Sequence, residues 1–198
     1  MKEKGQSLKE TFSLAHKNFK EKNFLTAETL CKKILSVEPN YFDSILLLAT
    51  LSAISRNFEE SKKLLNKAIS IEPNNLAAHN NLGNIEKQLK NYQKAIKSYE
   101  KIIQIDPNHV NAYFNLGILF YELKKFTKAI NYFQKVIKIQ PNYVNAYFNL
   151  GNTCVEVKEF YKAISYYKKA IEINPDYIGA HNNLGLIFRG LNDFKNAI

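Results

Sequence analysis

Asparagine returns four times at a spacing of 34 residues, as Asn81, Asn115, Asn149 and Asn183. A carboxamide donates and accepts hydrogen bonds at once, which is what the backbone of an extended peptide requires of a receptor. Asparagine is also a mediocre helix former, so its return at one register of a helical pattern asks for a reason. Flanking registers add Asn80, Asn84, Asn111, Phe114, Asn145, Phe148, Asn152 and Asn182. Together these residues are the candidate peptide-binding set. Two readings stand side by side for them. The asparagines either contact a bound chain or bond neighbouring helices, and the phenylalanines are either apolar anchors or packing between units.

No other chemistry competes. His16, His79, His109 and His181 are scattered and lack metal-ligand spacings such as HExxH, so packing or groove histidines are expected rather than a metal site. There is no P-loop, no GxGxxG and no GxSxG. Cys31 and Cys154 fall at apolar positions more than three repeats apart. A bridge needs Cα atoms within about 7 Å, so two buried core thiols are expected instead. No catalytic residue, cofactor or metal is predicted, and this stretch of chain is read as non-enzymatic.

Charge and hydropathy narrow the class further. The net charge of +10 invites a nucleic-acid reading, yet all but Arg56 and Arg189 of the 28 basic residues are lysines, whereas arginine forks favour base and phosphate recognition. The longest apolar run, Ile45 to Ala49, is far too short to span a bilayer. The N-terminal MKEKGQSLKETF has no apolar core of a secretion signal, so no membrane partner and a cytoplasmic location are expected.

The elements that must position the asparagines come from a repeat. The octet VNAYFNLG at 110–117 recurs unchanged at 144–151, with looser copies at 76–83 and 178–185, and Pro39, Pro73, Pro107, Pro141 and Pro175 keep the same spacing of 34. Counting each proline as position 32 gives an N-terminal tail 1–7 and units 8–41, 42–75, 76–109, 110–143 and 144–177, with a partial unit 178–198. The first two are divergent, with Asn18 and Ser52 where the fourth has Phe120.

Each unit reads as two helices. In the fourth, Tyr113, Leu116, Gly117 and Phe120 form one buried face, and Phe126, Ala129, Ile130, Phe133, Val136 and Ile137 a second. Proline ends helix B, and the Asx residue after it (Asn40, Asn74, Asn108, Asn142, Asp176) is suited to cap or turn into the next helix A. Ser7 and Glu10 form a capping box that predicts the start of the first helix, with residues 1–6 frayed. Small residues recur at position 8 (Ala15, Ala49, Gly83, Gly117, Gly151, Gly185) and position 20 (Ala27, Ser61, Ala95, Ala129, Ala163, Ala197), where two helices must approach closely.

Leu116-Gly117, Phe120, Ala129, Phe133 and Pro141, with their copies at 34-residue intervals, resemble the tetratricopeptide repeat family over residues 8–198. The resemblance implies an all-α solenoid: antiparallel helix pairs stacked in a right-handed superhelix, with the A helices lining its concave face. Two family features are missing. The common tryptophan at position 4 is replaced by Thr11, Ile45, His79, Tyr113, Tyr147 and His181, and the turn glycine at position 15 by Lys22, Arg56, Lys90, Lys124, Lys158 and Asn192.

Under that resemblance the groove is neutral. Residues 76–85, 110–120, 144–155 and 178–188 of the A helices contain no charge, while Lys90, Lys94, Lys97 and Lys101 illustrate how lysines gather in the A–B turn and helix B. A basic nucleic-acid channel would have the opposite arrangement, so nucleic acid is not the expected partner. Neighbouring A helices about 10 Å apart would meet a peptide rising about 3.3 Å per residue once every three residues. The asparagine ladder resembles that of the tetratricopeptide region of O-GlcNAc transferase. The dicarboxylate clamp known in short members of the family is not expected, because the third unit lacks the cations it needs.

The function expected is a protein–protein interaction scaffold that binds extended peptide segments in an asparagine-lined groove. The alternative is the substrate-recruiting N-terminal region of a larger glycosyltransferase or sulfotransferase. The end of the sequence inside a sixth helix B suggests a fragment of a longer protein.

Overall fold

The computed structural model describes residues 2–190, with side chains from residue 6, and contains eleven α-helices and no strand among them. The chain divides into two compact units, Met1–Ile105 and Asp106–Ile198. The first holds α1 (Lys2–Lys20), α2 (Phe24–Val37), α3 (Phe42–Ile54), α4 (Phe58–Ile71), α5 (Leu76–Gln88) and α6 (Tyr92–Ile105). The second holds α7 (Val110–Glu122), α8 (Phe126–Ile139), α9 (Val144–Glu156), α10 (Phe160–Ile173) and α11 (Ile178–Gly190). Asn192, Phe194, Ala197 and Ile198, assigned repeat positions above, lie outside the described residues.

In the first unit α1 packs on α2, α3 on α4 and α5 on α6; α2 then packs on α3 and α4 on α5, while α3 also touches α1 and α5. The second unit repeats the scheme: α7 packs on α8, α8 on α9, α9 on α10 and α10 on α11, with α7 touching α9. Within the units, α3, α5 and α9 each meet their own B helix, the preceding B helix and a neighbouring A helix. These are the contacts of helix hairpins stacked in register.

Helices stop where the sequence forbids continuation. The pre-proline residues Glu38 (φ −133°, ψ 89°), Glu72 (φ −123°, ψ 85°), Gln140 (φ −129°, ψ 89°) and Asn174 (φ −132°, ψ 96°) all leave the helical region. The Asx residue after proline stays in the turn, and the cap falls one residue later. Asn75 Oδ1 accepts from the Ala78 amide at 3.0 Å, and His109 Nδ1 from the Ala112 amide at 3.2 Å. The capping box expected at Ser7 is not formed. Helix α1 begins at Lys2, so Ser7 lies within it, its carbonyl accepting from Thr11 Oγ1 at 2.8 Å, while Glu10 Oε1 accepts from Gln6 Nε2 at 3.2 Å. The S-x-x-E pattern also satisfies i,i+4 partners inside a helix, which is why it misleads there.

The small residues at position 8 admit a ring, not a neighbouring backbone. A Cβ built on Gly83, Gly117 or Gly151 would lie 2.6, 2.5 or 2.4 Å from the ring of Tyr99, Phe133 or Tyr167. Those rings, one turn-register of helix B, are buried. Where position 8 is alanine, at Ala15 and Ala49, the residue at the same register of helix B is smaller, Cys31 and Leu65. Volume is conserved across the pair, as close-packed interiors require. Both cysteines are buried free thiols, and burial pushes the Cys31 thiol up to about 11.

The A–B turn keeps its left-handed geometry without glycine. Lys22, Arg56, Lys90, Lys124 and Lys158 have φ of 64°, 60°, 60°, 55° and 62°. The amide of each following residue closes the turn, as in Lys125 N to Phe120 O at 2.8 Å and Glu159 N to Cys154 O at 2.8 Å. An L-residue there carries roughly 1–2 kcal/mol of strain, partly offset by the lower entropy of its unfolded chain. Lys124→Gly is therefore expected to raise stability by about 0.5–1 kcal/mol in denaturant unfolding. A loss of stability would show that the lysine side chain contributes more than its backbone strain takes away.

Two polar features stabilise the packing where the sequence reading found only register. In the third, fourth and sixth units the tryptophan position is taken by a residue that bonds the preceding turn: His79 Nε2 donates to the Pro73 carbonyl at 2.9 Å, the Tyr113 hydroxyl to the Pro107 carbonyl at 3.1 Å, and His181 Nε2 to the Pro175 carbonyl at 2.8 Å. In the first unit, Glu86 is buried yet receives Asn91 Nδ2 at 2.7 Å and lies 3.7 Å from Lys62 Nζ. A buried carboxylate needs such partners.

Candidate functional site

The faces of the A helices divide by register. Positions 8 and 11 are buried on α5, α7 and α9, while position 6 is half-buried on α5, α7, α9 and α11. Asn115, Asn149 and Asn183 hold position 6 on α7, α9 and α11 of the second unit, each half-buried. Asn81 holds it on α5 of the first unit, also half-buried.

Asn183 is the best-defined of the set. Its Nδ2 donates to Asn152 Oδ1 at 2.9 Å on α9 and to the Tyr167 hydroxyl at 3.3 Å on α10, and that hydroxyl donates to Asn152 Oδ1 at 2.7 Å. Three helices are thereby tied through one polar node. Asn183 Oδ1 and Asn152 Nδ2 form no hydrogen bond to any other described residue. The node thus leaves one acceptor and one donor for a ligand, the types that the N–H and C=O of one residue in an extended chain require. Burial pushes the Tyr167 phenol up to about 12, with the Asn183 bond opposing part of that rise, so Tyr167 is a hydroxyl donor throughout the physiological range.

The other candidates behave less uniformly. Asn149 Nδ2 folds back onto the Asn145 carbonyl of its own helix at 2.7 Å. Asn145 Oδ1 accepts from the Tyr177 hydroxyl at 3.0 Å, and Asn84 Oδ1 from the Tyr99 hydroxyl at 2.7 Å. Phe114 packs on Phe133 and Tyr143, with ring centroids 5.7 and 5.1 Å away, and Phe148 on Tyr167 and Tyr177 at 5.9 and 5.2 Å. Both phenylalanines are half-buried, so the packing role accounts for much of their surface. Asn80 is half-buried, and Asn111 and Asn182 are exposed.

Sequence reasoning missed the cavity beside the node. A space of 540 Å³ opens in the second unit between α7, α9, α10 and α11. Asn152, Asn183 and Tyr167 form its polar wall, Val155, Leu186 and Ile187 its apolar wall. Tyr121, Glu156 and Phe160 also line it. The Tyr121 hydroxyl lies 3.5 Å from Glu156 Oε1; burial and that carboxylate both raise the phenol's pKa. The volume lies within the range of roughly 300–1,000 Å³ usual for ligand sites.

Around the site, lysines stand on the B helices: Lys128, Lys135 and Lys138 of α8 are exposed. Among the described residues no group of three or more His, Cys, Asp or Glu could hold a metal ion, and no helix is long and apolar enough to cross a membrane.

Paired antiparallel helices in register, presenting carboxamides from successive A helices, define an α-helical repeat protein. Family models for the tetratricopeptide repeat match residues 42–75, 74–142 and 144–177, together more than half of the sequence. The chain belongs to the tetratricopeptide repeat family. No curated protein matches it significantly. Among solved structures, MamA is similar at 24% identity and a TM-score of 0.76, over 83% of this chain and 96% of that one. PilF of Pseudomonas aeruginosa superposes with a TM-score of 0.82 at 18% identity, over 98% and 88%. YrrB, a tetratricopeptide protein with an unusual peptide-binding site, gives 0.71 at 20% identity, over 86% and 88%. At such identities the likeness is one of fold.

Proposed function

We propose that this chain is a protein-interaction module that binds an extended polypeptide segment across the A helices of the second unit, through Asn115, Asn149, Asn183 and Asn152. The observation that carries the reading is the node of Asn152, Tyr167 and Asn183, whose internal hydrogen bonds leave Asn183 Oδ1 and Asn152 Nδ2 without a described partner. Preorganised groups lower the ordering cost of binding, and a backbone donor–acceptor pair is tolerant of sequence. The uncharged stretches 110–120 and 144–155 support a polypeptide over a polyanion as the ligand. YrrB, of the same fold, is described as having a peptide-binding site. Asn81 occupies the matching register of the first unit and is read in the same way.

The test is selection of a random dodecapeptide library on the immobilised protein, followed by affinity measurement of the recovered peptides by fluorescence anisotropy. The Asn115→Ala/Asn149→Ala/Asn183→Ala variant, with its helicity and unfolding midpoint monitored, is expected to bind them roughly tenfold or more weakly. Equal affinity in a folded triple variant contradicts the reading.

A further inference from the structure

The cavity beside the node has a chemical preference that the asparagines do not explain. Among the described residues that line it, Glu156 is the one acidic or basic side chain, in a chain whose net charge is +10. Among the described residues its polar partner is the Tyr121 hydroxyl at 3.5 Å, and no described cation pairs with it. By contrast, Glu159 nearby is paired, with Lys162 Nζ 3.0 Å away. Glu156 is thus an exposed carboxylate in a lining that also holds three aromatic rings, those of Tyr121, Phe160 and Tyr167. Val155, Leu186 and Ile187 give the same cavity an aliphatic part.

We propose that this cavity seats an arginine side chain of the bound segment. The inference rests on the peptide-binding reading above and names the anchor residue of that peptide. Arginine meets each wall with a different part. Its methylene stem covers the aliphatic side, as long cationic side chains do. Its guanidinium is planar, weakly hydrated and able to stack on ring faces while presenting parallel N–H donors to a carboxylate. An acidic side chain would face Glu156, and a purely apolar one would leave that carboxylate desolvated without a partner. The node lies in the same cavity, so the peptide unit of the seated residue reaches Asn152 and Asn183 without leaving it.

The test is to select the same random dodecapeptide library on the wild-type protein, on Glu156→Gln and on the triple asparagine variant, and to sequence each recovered pool. Glu156 is exposed, so Glu156→Gln is expected to fold normally, which circular dichroism checks. Expected for the wild type is enrichment of arginine at one register, with replacement of that arginine by norleucine weakening binding roughly tenfold. In Glu156→Gln the arginine enrichment is expected to disappear while peptides are still recovered. A wild-type pool without arginine enrichment, or an enrichment that persists in Glu156→Gln, overturns the arginine pocket and leaves peptide binding standing. Failure to recover any pool, or recovery unchanged in the triple variant, overturns peptide binding on this face and the pocket with it. Non-specific capture by this basic protein would enrich acidic residues, the opposite sign.

Discussion

Leu116→Ala is expected to lower the unfolding free energy by about 2–5 kcal/mol, read as a fall in the denaturant midpoint. Leu116 is fully buried on α7, as is its repeat counterpart Leu150 on α9. The substitution removes apolar surface that water never reaches and leaves a cavity. The hole cannot close readily, because α7 is held against α8 and α9 at once. Repeat proteins lose stability mainly in the affected hairpin and its neighbours, so the second unit should melt first. An effect below about 1 kcal/mol would mean that Leu116 is not enclosed as described.

Gly117→Ala is expected to destabilise by about 1–3 kcal/mol, although alanine is the better helix former by about 1 kcal/mol. Packing decides the sign. The added methyl would sit 2.5 and 2.6 Å from Phe133 Cε1 and Cδ1, and that ring is fully buried beside Phe114. The ring is not a flexible chain end and has little room to turn away. The second repeat holds the smaller pair Ala49 and Leu65 at these positions, so Gly117→Ala combined with Phe133→Leu should be less destabilised than the sum of the two single changes. Additive losses would show that the glycine serves another purpose.

These two changes draw on a part of the molecule that the sequence displays almost completely. A period of 34, inward leucines and punctuating prolines suffice to place helices that begin at Phe42, Leu76, Val110, Val144 and Ile178. The reason is that each hairpin buries its apolar face against near copies of itself, so local pattern and global packing coincide. The loss of the turn glycine was also visible, but not its consequence. Lys124 at φ 55° shows that the closing hydrogen bonds of the turn hold the backbone in a conformation its side chain disfavours.

The site was less legible because its partners lie on three helices. The asparagine register was plain, yet nothing in that register alone distinguishes Asn149, which bonds its own helix, from Asn183, which bridges to α9 and α10. A signal did exist. Where position 9 is asparagine, at Asn84 and Asn152, position 24 carries a hydroxyl, Tyr99 and Tyr167; where position 9 is Ile118, position 24 is Phe133. The pairing of a hydroxyl with a carboxamide across 15 residues announces the node before any coordinates. Glu156 gave no such sign, since its neighbours Tyr121 and Phe160 come from other helices.

The most direct measurement of the central claim is a set of ¹H–¹⁵N spectra of the side-chain carboxamides, assigned by single Asn→Ala variants, during titration with a library-selected dodecapeptide. Expected are saturable shifts at Asn115, Asn149, Asn152 and Asn183, with the backbone amides of the exposed α8 lysines Lys128, Lys135 and Lys138 unmoved. Saturable shifts confined to α8, with all four carboxamides unchanged, would place the interaction surface on the B helices and contradict a binding face built from the A-helix asparagines.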